Sequence, residues 1–134
     1  MKKFSELMEK RETNAFVILK PGFLDKEHLW VEILLDDGWK IIQYERKFLD
    51  IDTAKELYKM HKDKDFYENL CKYMSSDECV CAACYKKTET PIKDMNKIKD
   101  KVRDMWGKSE MRNAMHSSDS MENVRRETQV IFKN

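Results

Sequence analysis

The sequence predicts an α/β sandwich: a four-stranded antiparallel sheet with helices packed over it. Three observations carry that reading. Four short β-prone segments are separated by stretches whose apolar residues recur at helical spacing. Turn and cap residues such as Lys20-Pro21-Gly22, Gly38 and Ser120 mark the changes of period. The chain of 134 residues is the size of one domain, and such a domain buries roughly two-thirds of the surface its unfolded chain exposes.

Each element has its own warrant. Ala15-Phe16-Val17-Ile18-Leu19 is a continuous apolar run, as in a central strand. Leu29, Trp30, Ile33 and Leu34 then define a helix that Gly38 ends. Trp39 to Leu49 reads as a second strand, and Asp52 as the N-cap of a helix carrying Leu57 and Tyr58. A further short helix carries Phe66, Leu70, Tyr73 and Met74. Cys79 to Tyr85 is small, apolar and β-prone. Ile92, Met95, Ile98 and Val102 form one helical face, Asn113 to His116 a short fourth strand, and Ser120 or Asp119 caps a last helix to about Ile131. The order β-α-β-(αα)-β-α-β-α, with its helices expected on one face of the sheet, is a ferredoxin-like βαββαβ sandwich. That architecture alone names no function.

Composition narrows the classes. Charged residues make up 38% of the chain, yet the net charge is only +1, which argues against a generic polyanion binder. The basic stripe from Lys86 to Lys101 lacks interleaved aromatics, so nucleic acid is not the expected partner. No stretch is apolar and long enough to cross a membrane. Met1 to Asn14 is charged, without the apolar core of a secretory leader. Residues 1–13 are expected to be a tail or short amphipathic helix, with Phe4, Leu7 and Met8 as its apolar face, and residues 14–134 a single domain of a cytoplasmic protein. The four cysteines are Cys71, Cys79, Cys81 and Cys84. In a strand Cys79 and Cys81 share a face that Cys84 opposes, a poor zinc geometry, so buried free thiols are expected.

The segment Arg112-Asn113-Ala114-Met115-His116-Ser117-Ser118-Asp119-Ser120 carries the chemistry. Histidine is a competent nucleophile near neutral pH. At the end of a strand and before a helix start, its ring can be held at a fixed tilt. From these residues alone a surface histidine without chemistry is as good a reading.

Other segments break the tie. Leu19-Lys20-Pro21 after the first strand, Lys55-Glu56-Leu57-Tyr58, Phe66-Tyr67 to Lys72-Tyr73-Met74, and Arg112-Asn113-x-x-His116-x-Ser118-Asp119-Ser120 occur together and in order. From about Thr13 to Phe132 the chain resembles nucleoside diphosphate kinases. The resemblance implies a ping-pong phosphotransferase: a histidine takes the terminal phosphoryl group of a nucleoside triphosphate and passes it to a diphosphate, with Mg²⁺ held on the nucleotide phosphates and no protein metal ligand. It makes His116 the nucleophile, Glu127 the glutamate behind it, Tyr58 the tyrosine beside it and Ser118 the serine that supports the turn. It also assigns Lys20 to phosphate and ribose, Arg103 to the phosphates, Asn113 to the sugar hydroxyl and Phe66 to the base.

Several positions depart from that pattern. The stretch from Tyr85 to Arg103 is short for the family, and its second arginine, on the helix after the third strand, is expected near Met95 to Lys97. Seven basic and three acidic residues lie from Lys86 to Arg103; Lys97 or Lys101 could replace the missing charge, though an ordinary solvated helix face is the better reading for any single one of these lysines. Gly22 stands where the family usually has aspartate. Glu110 stands where an apolar residue closes on the base, so weak base selection is expected. The shortened loop also implies a homodimer through Lys26–Asp37 and Trp39–Leu49 rather than the family's common hexamer, and reduced turnover. A nucleotide-binding or regulatory module with little transfer activity is the alternative.

Overall fold

The computed structural model describes residues 13–107, 109 and 111–132. The expectations for Phe4, Leu7, Met8 and Glu110 lie outside them. The elements are β1 (Ala15–Leu19), α1 (Glu27–Asp36), β2 (Lys40–Lys47), α2 (Ile51–Leu57), α3 (Tyr67–Met74), β3 (Cys79–Tyr85), α4 (Pro91–Trp106), β4 (Met115–Ser117) and α5 (Met121–Ile131), with short 3-10 turns at Leu24–Lys26 and Lys59–His61. The sheet order is β2-β3-β1-β4, antiparallel throughout.

The helices cover both faces of the sheet, not one as the element order alone suggests. The reason lies in β1, where all five residues are buried. A continuous apolar run demands cover on both sides. Val17 and Leu19 point to the side packed by Trp30 and Leu34 of α1 and Met95, Ile98 and Val102 of α4. Phe16 and Ile18 point to the side packed by Ala54, Leu57, Leu70, Met74, Val124 and Ile131 of α2, α3 and α5. Cys79 and Cys81 fall on the second side and Cys84 on the first, and all four cysteines are buried free thiols. Burial pushes the Cys84 thiol up to about 12.

Boundaries shift where side chains compete for the backbone. The α2 cap is Asp50, not Asp52, because the Asp50 carboxylate accepts from the Thr53 amide; such a cap contributes about 1 kcal/mol. The ordered part of β2 stops short of Trp39 and Leu49, which are buried beyond its two ends. β4 starts two residues later than expected and ends at Ser117. Asn113 therefore lies before the strand. Ile92, unlike Met95, Ile98 and Val102, packs against the opposite core cluster. Ser120 caps α5 by accepting from the Asn123 amide. Gly22 adopts φ +92 in the turn after Lys20-Pro21, a conformation that strains other side chains and accounts for glycine at that position.

Candidate active site

β4 brings the histidine to the sheet. His116 pairs with Ile18, Ser117 with Val17 and Met115 with Leu19. Directly opposed residues share a face, so His116 lies with Ile18 on the α2/α3/α5 side. Its neighbours in the strand serve as anchors on the other side. The Trp30 indole Nε1 donates to Met115 Sδ at 3.3 Å, and the Ser117 hydroxyl donates to Asn96 Oδ1 of α4 at 3.3 Å.

His116 Nε2 is 2.7 Å from Glu127 Oε1. That same oxygen accepts the Ser118 hydroxyl at 2.8 Å. Glu127 projects from α5 and is only 1% exposed. The Tyr58 ring meets the imidazole edge-on, with centroids 5.3 Å apart, and Phe16 abuts it at 6.3 Å. A neutral imidazole that donates from Nε2 to a carboxylate keeps its lone pair on Nδ1. Nδ1 has no hydrogen-bond partner among the described residues.

Lys20, Tyr58, His61, Phe66, Leu70, Arg103, Met111 and His116 line a cleft of about 360 Å³. The Lys20 ammonium is 3% exposed and its Nζ donates to the Met111 carbonyl at 3.4 Å. Burial pushes its pKa from 10.5 down to about 7, and the positive fields of Arg103 and Lys99 add to the shift. Arg103 donates from Nε to the Met115 carbonyl at 2.9 Å, which leaves its terminal nitrogens for other acceptors. Tyr58 caps the C-terminus of α2; its hydroxyl is buried without a partner, and burial pushes its pKa well up. Phe66 is 42% exposed at the N-cap of α3 and leans over His61. An exposed ring is not serving the core. Asn113 is buried just before β4 and does not line the cleft. Ser118 and Glu127 sit behind the histidine rather than in the cleft.

Arg103 belongs to the last turn of α4, the helix that follows β3, so that helix does hold an arginine in the cleft. Gly107 opens the connection from α4 to β4 because a Cβ there would stand 2.3 Å from the Arg103 carbonyl oxygen. Lys97 and Lys101 do not replace a charge in the cleft; they line a separate groove with Ile33, Asp36 and Asp37. Lys99 is the α4 lysine whose charge acts on Lys20 and Arg103. It lies one turn before Arg103 on the same helical face.

His61 and Met111 are cleft residues that the sequence reading missed. His61 follows Tyr58 by one 3-10 turn and stacks on its ring at 6.4 Å and 25°. Its Nδ1 is buried without a partner, and burial, followed by the nearby Lys64, pushes its pKa down. The Tyr58-x-x-His61 spacing was the available signal. Met111 had none, because its place depends on how the short connection folds back over Lys20.

A sheet that presents a carboxylate-bound histidine to a cleft holding a buried lysine and an arginine defines an α/β phosphotransferase class of site. The profile of the family described as "Nucleoside diphosphate kinase" matches residues 13–134, and the chain belongs to that family. It is 30% identical over 130 residues to a nucleoside diphosphate kinase of Methanococcus maripaludis, covering 88% of this chain and 96% of that one. It is 31% identical over 130 residues to one of Sulfurisphaera tokodaii, covering 89% and 88%. The solved structure of the Aquifex aeolicus nucleoside diphosphate kinase superposes with a TM-score of 0.78 at 25% identity, over 90% of this chain and 94% of that one. The chain is a nucleotide-directed kinase of this family. Among its described residues no helix is long and apolar enough to cross a membrane.

Lys20 makes the ligand-free fold pH-sensitive. The folded chain releases the Lys20 proton at about pH 7, while the unfolded chain holds it to 10.5. Between these values the unfolded state binds more protons, so stability rises with pH through that window and the cost of the buried charge is fully present below it. Lys20→Met is expected to raise the melting temperature of the ligand-free protein at pH 7 and to flatten its rise toward pH 10. An unchanged pH dependence in calorimetry contradicts this.

Proposed function

We propose that the protein transfers the terminal phosphoryl group of a nucleoside triphosphate to a nucleoside diphosphate through a phosphohistidine at His116. The observation that carries the reading is the Nε2 to Glu127 contact of 2.7 Å. It orients the ring and leaves Nδ1 with the lone pair for in-line attack. In the first half-reaction Nδ1 forms a bond to the γ-phosphorus while the bond from that phosphorus to the bridging oxygen breaks, and the diphosphate leaves with the negative charge. The second half-reaction reverses these events with another diphosphate. Glu127 stabilises the positive charge that develops on the ring, and Ser118 holds Glu127.

Lys20 and Arg103 bind the phosphates, with Lys99 adding positive field. Phe66 stacks on the base and Tyr58 holds one edge of the imidazole; the sugar-hydroxyl role that the resemblance gives Asn113 requires this buried side chain to become reachable from the cleft when nucleotide binds. Among the described residues the cleft lining has cations and no carboxylate, which suits Mg²⁺ held by the nucleotide's own phosphates rather than by the chain. When bound there, Mg²⁺ neutralises phosphate charge. Nucleoside di- and triphosphates are thus the partners, residues 14–134 act as one domain, and four free thiols suit the reducing cytoplasm.

A homodimer is the assembly we favour. β2 is an edge strand, and Leu29, Leu35, Tyr44 and Phe48 expose large apolar side chains on α1 and on or just after β2. An open edge beside apolar surface is a pairing template, and two-fold pairing is the commonest closed symmetry. The short stretch from Tyr85 to Arg103 favours a second reading, a nucleotide-binding module with little transfer activity, and the labelling experiment separates the two.

Incubation with γ-labelled ATP and Mg²⁺ is expected to give acid-labile, base-stable label on the protein, and His116→Ala to abolish it without loss of fold. Equal labelling of the two removes His116 from the mechanism; nucleotide binding without label supports the second reading. Arg103→Ala is expected to weaken ADP binding roughly ten- to a hundred-fold, the loss of a charge-assisted hydrogen bond. Sedimentation is expected to give about twice the chain mass of 16.1 kDa; a hexamer or a monomer contradicts the dimer.

A further inference from the structure

Glu127 has two carboxylate oxygens in a buried site, and the nucleophile uses one. Oε1 accepts from Ser118 and His116. Oε2 lies 3.5 Å from the Arg126 guanidinium NH2. A buried carboxylate whose second oxygen loses its only cation is expensive, and it rotates or takes up a proton to escape that cost. The guanidinium is held by more than Glu127. NH1 donates to the Glu56 carbonyl at 2.9 Å, NH2 to the Leu57 carbonyl at 3.1 Å, and Nε reaches Asn123 Oδ1 at 3.4 Å. Glu56 and Leu57 end α2, where carbonyls lack helical partners and a cation is favoured. Tyr58, which abuts the imidazole, is the next residue.

We propose that Arg126 is a positioning residue for phosphoryl transfer. It fixes the His116 tautomer through Glu127 and ties the end of α2, with Tyr58, to the same point. One planar fork thereby references both supports of the nucleophile, the carboxylate below the ring and the phenol beside it. Arg126 does not line the cleft, so it acts on the ring and not on the nucleotide. Its two roles need a fork of donors: a lysine supplies the charge but not the paired bonds to both carbonyls. This inference rests on the phosphohistidine reading.

The test compares Arg126→Gln and Arg126→Lys with wild type by long-range ¹H–¹⁵N NMR of the His116 ring in the ligand-free protein, and by the rate of labelling from γ-labelled ATP. Wild type is expected to show a single Nε2–H tautomer. Arg126→Gln is expected to show mixed tautomers and a saturating labelling rate at least about tenfold lower, equivalent to one lost charge-assisted contact, with the half-saturating ATP concentration within about twofold, since Arg126 does not line the nucleotide cleft. Arg126→Lys is expected to keep the tautomer, because it keeps the charge beside Oε2, but to recover the rate only in part, because it lacks the fork that ties the end of α2. A wild-type tautomer and rate in Arg126→Gln overturn the proposal, even if the variant melts earlier, because only a structural cap would then be lost. If Arg126→Gln does not fold, Arg126→Lys decides: a mixed tautomer there shows that the charge on Oε2 is not what sets the ring. Absence of label on wild type refutes the phosphohistidine reading instead, and the tautomer comparison stands apart from it.

Discussion

The site depends on one buried carboxylate. Glu127 is almost fully excluded from water, yet it meets an imidazole nitrogen, a hydroxyl and a guanidinium. A lone buried carboxylate is costly; one with its lone pairs satisfied becomes a rigid reference point. Much of the surrounding architecture supplies those partners. β4 pairs with β1 so that His116 arrives on the correct face, the turn after β4 delivers Ser118, and the capped start of α5 places Glu127 and Arg126 below both. Covering both faces of the sheet follows from the same need, since a histidine bound to a carboxylate requires a packed helix on its own side.

Electrostatics on the cleft side run opposite to those behind the ring. Lys20 is buried beside Arg103, with Lys99 one turn along α4, and among the described residues no carboxylate lines the cleft. Burial is the main cause of the shift of Lys20 to about 7, and the positive fields of Arg103 and Lys99 add to it. Such a site is strained until an anion enters, a form of preorganisation for charge that a polyphosphate relieves. Met111 takes part: its carbonyl accepts from the Lys20 ammonium, and the residue lines the cleft.

Local patterns carried most of the fold. The apolar run of β1, the small residues of β3 and the helical face of α4 gave their elements at or near the observed limits, because each pattern matches a period and a single burial environment. The cap at Asp50 and the late start of β4 were misplaced because neighbouring residues of equal propensity compete for one backbone position. In the site, Ser118 and Glu127 came from the family resemblance of the His116 segment and not from local pattern, and the structure sets both against one another behind the imidazole. Arg103 came from the family resemblance by its spacing from His116, and the structure places it in the last turn of α4, lining the cleft. His61 had only its spacing from Tyr58 as a signal, and Met111 and Arg126 were not legible. Their places depend on contacts between segments distant in the chain, Arg126 with Glu56 and Met111 with Lys20.

The central claim is that Glu127 holds Nε2 so that Nδ1 carries the phosphoryl group. ³¹P–¹⁵N NMR of ¹⁵N-histidine-labelled protein, after phosphorylation by ATP and Mg²⁺ and removal of nucleotide, tests it most directly. The account predicts phosphorus coupled to Nδ1 of His116 and a proton retained on Nε2. Phosphorus on Nε2, or on a histidine other than His116, contradicts it.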